Sequence, residues 1–182
     1  MSKTDNPHAI HLYDSVLKHV DEKTANRIAN KIPISKLADI DKKFIWAENI
    51  CADLEEEFDD DTIKPIRMDC ACGPEMGKIN KLKKIYQSSV DLSDFAEKVN
   101  KLNQGFTIQY KDNALFLMYP RCYCSCVKRV EKPISKSWCY CTLGYTKKMF
   151  EHILEKAVEV ELIHSVKTGG KLCEIKIKQS IE

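Results

Sequence analysis

A chain of 182 residues is long enough for one domain with a hydrophobic core, or for one domain carrying a helical extension. Its formal charge of +2 is too nearly balanced to create a field that draws nucleic acid or an anionic membrane. No stretch approaches the ~20 apolar residues of a membrane span, and Met1-Ser2-Lys3-Thr4-Asp5-Asn6-Pro7 lacks the apolar core of a signal peptide, so a cytoplasmic protein is expected.

Asn6-Pro7 predicts a helix start, with the cap before the proline and the ring at the first helical position, and the helix is expected to run to about residue 31 before Pro33. Ser35 can cap a second helix on which Leu37, Ile40, Phe44, Ala47, Cys51, Leu54 and Phe58 recur at spacings of three and four. The two helices predict an antiparallel hairpin whose apolar seam, with Cys51 in it, packs on itself, on the following domain or on a second copy in a homodimer. The acidic run from Asp53 to Asp61 lacks the glycine turn of a calcium loop and reads as a solvated helix end entering a linker.

Thr62-Ile63-Lys64-Pro65 marks a change of character, which divides the chain into a helical region over 1–62 and a cysteine-rich domain over 63–182. Gly73-Pro74 opens a helix carrying Met76, Ile79 and Leu82; Asp91 caps another carrying Leu92, Phe95 and Val99. Phe106 to Tyr110 and Ala114 to Tyr119 form a hairpin around Lys111-Asp112-Asn113. A helix is expected from Gly144 to about Lys156. A second hairpin then places Val158, Val160, Leu162, His164 and Val166 on one face, turns at Gly169-Gly170 and returns through Cys173, Ile175 and Ile177. The fold class is α+β, with helices packed on a mainly antiparallel sheet.

Seven of the nine cysteines fall into three clusters: Cys70 and Cys72; Cys122, Cys124 and Cys126; Cys139 and Cys141. In a reducing compartment these are thiols, which favours metal binding, redox chemistry or covalent catalysis over a disulfide framework, with core packing as the remaining reading. Cysteines two apart on a strand are about 6.5 to 7 Å apart, too far for the thiolates of one zinc tetrahedron, so a bend is required. Pro120 and Pro133 permit one, giving a knuckle-like loop from Cys122 to Cys141 that could supply a four-thiolate zinc or iron-sulfur site, with Cys70 and Cys72 able to complete it.

Cys72 lies just before a predicted helix, whose N-terminus would lower its pKa and make it a nucleophile. Glu75 and His152 are then candidates for proton transfer, and Arg121 for holding a substrate carboxylate. His164 reads as a core histidine.

Trp138-Cys139-Tyr140-Cys141-Thr142-Leu143-Gly144-Tyr145, Phe150-Glu151-His152-Ile153-Leu154 and Val158-Glu159-Val160-Glu161-Leu162 resemble a bacterial and archaeal family related to L-2-amino-thiazoline-4-carboxylic acid hydrolases. The last hairpin, Gly169-Gly170 followed by Cys173-Glu174-Ile175, is similar to the end of the 4-vinyl reductase small-molecule-binding domain. The resemblance spans residues 115 to 178. It implies an α/β sandwich with an apolar pocket for a small ligand, or opening of a small sulfur-nitrogen ring. Two functions are therefore expected: a metal-binding sensory or small-ligand-binding protein, or a cysteine-dependent hydrolase acting on a heterocyclic carboxylate.

Overall fold

A computed structural model describes residues 4–73 and 75–180. Its contacts divide the chain into two compact units, each assembled from two stretches of sequence: Met1–Cys72 with Tyr123–Gly144, and Gly73–Cys122 with Tyr145–Glu182.

The first unit is built from helices. Asn6 accepts a hydrogen bond from the His8 N–H at 2.9 Å and Pro7 follows it, so α1 (Pro7–His19) starts as expected and buries Ala9, Leu12, Tyr13 and Val16. It does not continue to residue 31. Asp21 accepts from the Thr24 N–H at 2.8 Å and caps a separate helix, α2 (Glu22–Ala29). Ser35 is not the next cap either: its hydroxyl accepts from the Leu37 N–H at 3.1 Å within a turn, and Leu37 is 84% exposed. Asp39 caps α3 (Ile40–Glu57) instead, accepting from the Lys42 N–H at 2.8 Å. Phe44, Ala47, Cys51 and Leu54 of the predicted stripe are buried within the chain.

The acidic run is not a linker. Asp59 caps α4 (Asp60–Asp69), with Asp60 and Asp61 in its first turn where the helix dipole favours them, and the helix continues through Pro65. Side chains of the acidic run also hold the second stretch of the unit: Tyr140 donates to Asp60 at 2.7 Å, Ser137 donates to Glu55 at 2.6 Å, and Ser135 donates to the same carboxylate.

The helix α7 (Lys136–Leu154) begins eight residues before Gly144, where its start was expected. Gly144 is internal because a Cβ there would meet the Met68 carbonyl oxygen at 1.9 Å. Only glycine lets α7 approach the α4 backbone so closely. Residues 136–144 of α7 belong to the first unit and 145–154 to the second.

The second unit pairs helices with a four-stranded antiparallel sheet, which establishes the α+β class. The helix α5 (Met76–Gln87) buries Ile79 and Leu82; its expected opening at Gly73-Pro74 falls partly on Pro74, outside the described residues. Asp91 accepts from the Asp94 N–H at 2.8 Å and caps α6 (Leu92–Asn100), as its position predicts. The strands β1 (Thr107–Lys111) and β2 (Ala114–Tyr119) turn through Asp112 and Asn113, both at positive φ, the turn that suits a right-twisted hairpin. With β3 (Val158–His164) and β4 (Cys173–Gln179) the order is β1-β2-β4-β3. Leu117 opposes Ile108 on one side and Ile175 on the other, and Leu115 opposes Ile177, so the buried face is continuous across three strands. The register shifts between Leu162 and His164, which turns the His164 side chain out to 62% exposure. It is a surface residue near Glu174 rather than a core histidine. Among the described residues no helix is long and apolar enough to cross a membrane.

Candidate functional site

The first unit buries an arginine. Ile63, Ile66 and Arg67 lie on the inward side of α4, and Arg67 is 3% exposed. Its guanidinium carbon lies 4.2 Å from the centre of the Trp138 ring, and Nη2 donates to the Trp138 carbonyl at 3.3 Å. Nε has no hydrogen-bond partner among the described residues. None of the ion pairs among them involves Arg67. Burial works against its charge, but the sulfurs of Cys70, Cys141, Cys51 and Cys124, once ionised, outweigh that and carry its pKa up. These four sulfurs come from α3, the end of α4, a turn at residue 124 and α7.

The turn carries the most polarised pair. The Lys128 and Val127 N–H groups close on the Cys124 carbonyl at 2.9 and 3.2 Å. Cys126 is fully enclosed and Cys124 half-buried. The Cys126 thiol donates to the Cys124 sulfur; burial opposes the resulting charge, but the Trp138 indole N–H, 3.4 Å away, and the Cys126 backbone N–H add to the effect. Cys124 is drawn down to about 5, and Cys126, which holds the shared proton, is pushed up. The two behave as one thiolate and one thiol. His8 on α1 places Nε2 3.0 Å from the Ser125 hydroxyl; burial lowers its pKa while Cys124 pulls the other way.

The other sulfurs near Arg67 stay protonated. Burial raises Cys70, against the pull of Arg67; its thiol donates to the Ile66 carbonyl at 3.2 Å. Burial takes Cys141 up to about 12 and raises Cys51 as well.

Cys72 is not activated by a helix. The helix α5 begins only at Met76, its cap residue Glu75 makes no side-chain cap bond, and desolvation followed by the neighbouring Cys124 raises the Cys72 pKa. Glu75 pairs instead with Lys78 at 2.7 Å on the surface. His152 meets the Asn80 carboxamide at 2.8 Å. Arg121 is exposed and Cys122 half-buried, both in the second unit. Cys139 and Cys141 do not sit in a knuckle loop. They lie on α7, where residues two apart point about 200° from one another. Among the described residues no group of three or more His, Cys, Asp or Glu side chains is arranged to hold a metal ion, so a four-thiolate zinc or iron-sulfur site is not preassembled there.

Arg67, Trp138 and His8 were the residues that cysteine spacing did not reveal as parts of this site. One signal for Arg67 was present: Ile63, Ile66 or Arg67, and Cys70 recur at helical spacing, leaving a cation on an apolar stripe.

A family model described as a family of unknown function, DUF6144, matches residues 2–182. The chain belongs to that family. No curated protein matches it. Among solved structures, a mutant of the H-NOX domain of Shewanella oneidensis in the Fe(II)CO state gives a TM-score of 0.46 at 14% identity, covering 97% of this chain and 99% of that one. The crystal structure of an H-NOX protein from S. oneidensis in the Fe(II)NO state gives 0.44 at 14% identity, with the same coverage. Scores this low do not establish a shared fold. Membership of DUF6144 carries no activity, and the likeness of residues 115 to 178 to thiazoline-carboxylate hydrolases and the vinyl reductase domain stays at the level of those motifs.

Proposed function

We propose that this member of DUF6144 is a small-ligand-binding or sensory protein whose working group is the Cys124 thiolate. One observation carries the reading: the Trp138 indole N–H donates to the Cys124 sulfur at 3.4 Å while the same ring lies 4.2 Å from the enclosed Arg67 guanidinium, which has no ion pair among the described residues. Arginine stays charged at any ordinary pH, and a buried charge without a counter-charge costs several kcal/mol. Of the cysteines around Arg67, Cys124 is the one whose surroundings favour the anion, and it would supply the counter-charge. A thiolate takes soft ligands: thiophilic metal ions such as zinc or iron, and electrophilic small molecules. Metal capture would recruit further thiolates by moving Cys70 or Cys141, both of which already face Arg67.

Limiting iodoacetamide at about pH 6, followed by peptide mapping, tests the reading, because an ordinary thiol is almost wholly protonated there. Cys124 is expected to be alkylated ahead of the other eight cysteines. Uniform labelling, or labelling led by Cys72, would refute it. Metal content after anaerobic purification, compared between the wild type and Cys124→Ser, decides whether the soft ligand is an ion.

A further inference from the structure

The sheet of the second unit closes one edge and leaves the other open. In the order β1-β2-β4-β3 the outer strands are β1 and β3. At β1 the Asn100 carboxamide accepts from the Ile108 N–H and donates to the Ile108 carbonyl, both at 2.8 Å, so a side chain takes the place of a further strand. At β3 the Ser180 N–H donates to the Ala157 carbonyl at 3.0 Å, which fixes the phase of the ladder. Glu159 and Glu161, opposite Lys178 and Lys176, exchange hydrogen bonds with β4, and the N–H and C=O groups of Val158, Val160 and Leu162 point away from it. Lys147 donates to the Val158 carbonyl at 2.7 Å, whereas no described group bonds to the outward N–H and C=O of Val160 and Leu162.

The side chains define what this edge accepts. Glu159 and Glu161 are exposed on one face, Val160 and Leu162 half-buried on the other, and none of the ion pairs among the described residues involves either glutamate. A second copy is disfavoured: whether two β3 strands pair about Val160 or about Glu161, antiparallel pairing sets glutamate opposite glutamate. The complement is displayed by β4, whose run Ile175-Lys176-Ile177-Lys178 sets a lysine opposite each glutamate and an isoleucine opposite Val160 and Leu162. We propose that β3 takes up an extended segment of a partner protein in which lysine or arginine alternates with aliphatic residues, added to the sheet as a fifth strand. Main-chain hydrogen bonds to Val160 and Leu162 hold the segment, and its cations against Glu159 and Glu161 select it. This edge lies in the second unit and does not depend on the Cys124 thiolate.

The test adds a capped synthetic peptide of residues 174–180 to the reduced full chain and follows amide exchange residue by residue by NMR. In the free chain Val160 and Leu162 should exchange readily while Glu159 and Glu161 are held by β4; at saturation the first pair should slow by about tenfold or more and the second pair stay unchanged. Replacing both peptide lysines, Lys176→Glu and Lys178→Glu, should abolish binding. Of two probes N-methylated on alternate residues, one should bind and the other fail, because only alternate amides of an added strand face β3. In the chain, Val160→Pro removes an N–H that the ladder does not use and should weaken binding about fivefold or more. Glu159→Gln combined with Glu161→Gln tests the same edge without proline, and should erase the preference for the lysine probe over the glutamate probe. No binding, binding without slowed exchange at Val160 and Leu162, equal binding of the lysine and glutamate probes, or an equal response to the two N-methylated probes overturns the proposal. Slow exchange at Val160 and Leu162 in the free chain overturns it as well; relief of that protection on dilution would place a second copy at the edge.

Discussion

The indole nitrogen of Trp138 donates to the Cys124 sulfur across 3.4 Å while the face of the same ring lies against the Arg67 guanidinium at 4.2 Å. One side chain therefore touches both the Cys124 sulfur and the Arg67 guanidinium. Trp138 is itself held edge-on by Trp46, with ring centres 5.7 Å apart.

Trp138→Phe separates those two contacts. The ring over Arg67 is kept and the N–H donor is lost. A hydrogen bond to a charged group is worth about 1.5–3 kcal/mol, so the Cys124 pKa should rise by about one to two units. The pH dependence of Cys124 alkylation measures it; an unmoved midpoint would mean that the indole N–H does not hold the thiolate.

Arg67→Met removes the positive partner. Between roughly pH 6 and 8 it should raise the Cys124 pKa and destabilise the protein, because the thiolate is left without its counter-charge. Below about pH 4.5, where Cys124 is protonated, Arg67 is the unbalanced charge, and the substitution should be neutral or stabilising. Denaturant unfolding at the two pH values should show the difference in sign or size, and an equal loss at both would break the link between the residues.

The thiols also set a pH dependence of stability. Cys124 is depressed from 9.0 to about 5, so the folded state has shed a proton that the unfolded state keeps, and stability should increase as pH rises from about 5 toward 9. Cys126, Cys51, Cys70, Cys72 and Cys141 are raised, the last to about 12, so above about pH 9 the unfolded chain sheds protons that the folded one retains and stability should fall. Thermal unfolding under reducing conditions should peak near pH 9, and Cys124→Ser should remove the acid-side rise and lessen the alkaline loss, part of which Cys126 owes to Cys124.

Two glycines give opposite expectations. Gly144→Ala would drive a Cβ to 1.9 Å from the Met68 carbonyl oxygen, with backbone on both sides, and should cost about 3 kcal/mol while separating α4 from α7. Gly77→Ala, in α5 with nothing within 4 Å, should stabilise by up to about 1 kcal/mol. Urea midpoints of the two variants check both.

Local signals made much of the fold legible. Asn6-Pro7, Asp91 and Asp112-Asn113 each act through a few neighbouring residues, and all three behave as their chemistry predicts. The misreadings came where a longer-range contact overrode a local rule. Pro65 suggested a break, yet α4 runs through it with Arg67 stacked on Trp138. Gly144 suggested a helix start, yet it is where two backbones meet. The return of residues 123–144 to the N-terminal helices has no mark in the sequence; it depends on Tyr140 finding Asp60 and Ser137 finding Glu55 across some eighty positions of chain. The cysteine clusters pointed to the right chemistry. Spacing alone could not say that Cys139 and Cys141 diverge on a helix, or that a buried arginine sits among the rest.

The ionisation of Cys124 decides the account. Ultraviolet thiolate absorbance of the reduced, metal-free chain, followed from about pH 4 to 10 with that of Cys124→Ser subtracted from it, should show one thiolate appearing with a midpoint near 5. A difference curve that stays flat below about pH 8 would show Cys124 to be an ordinary protonated thiol, and would leave Arg67 without the partner proposed for it.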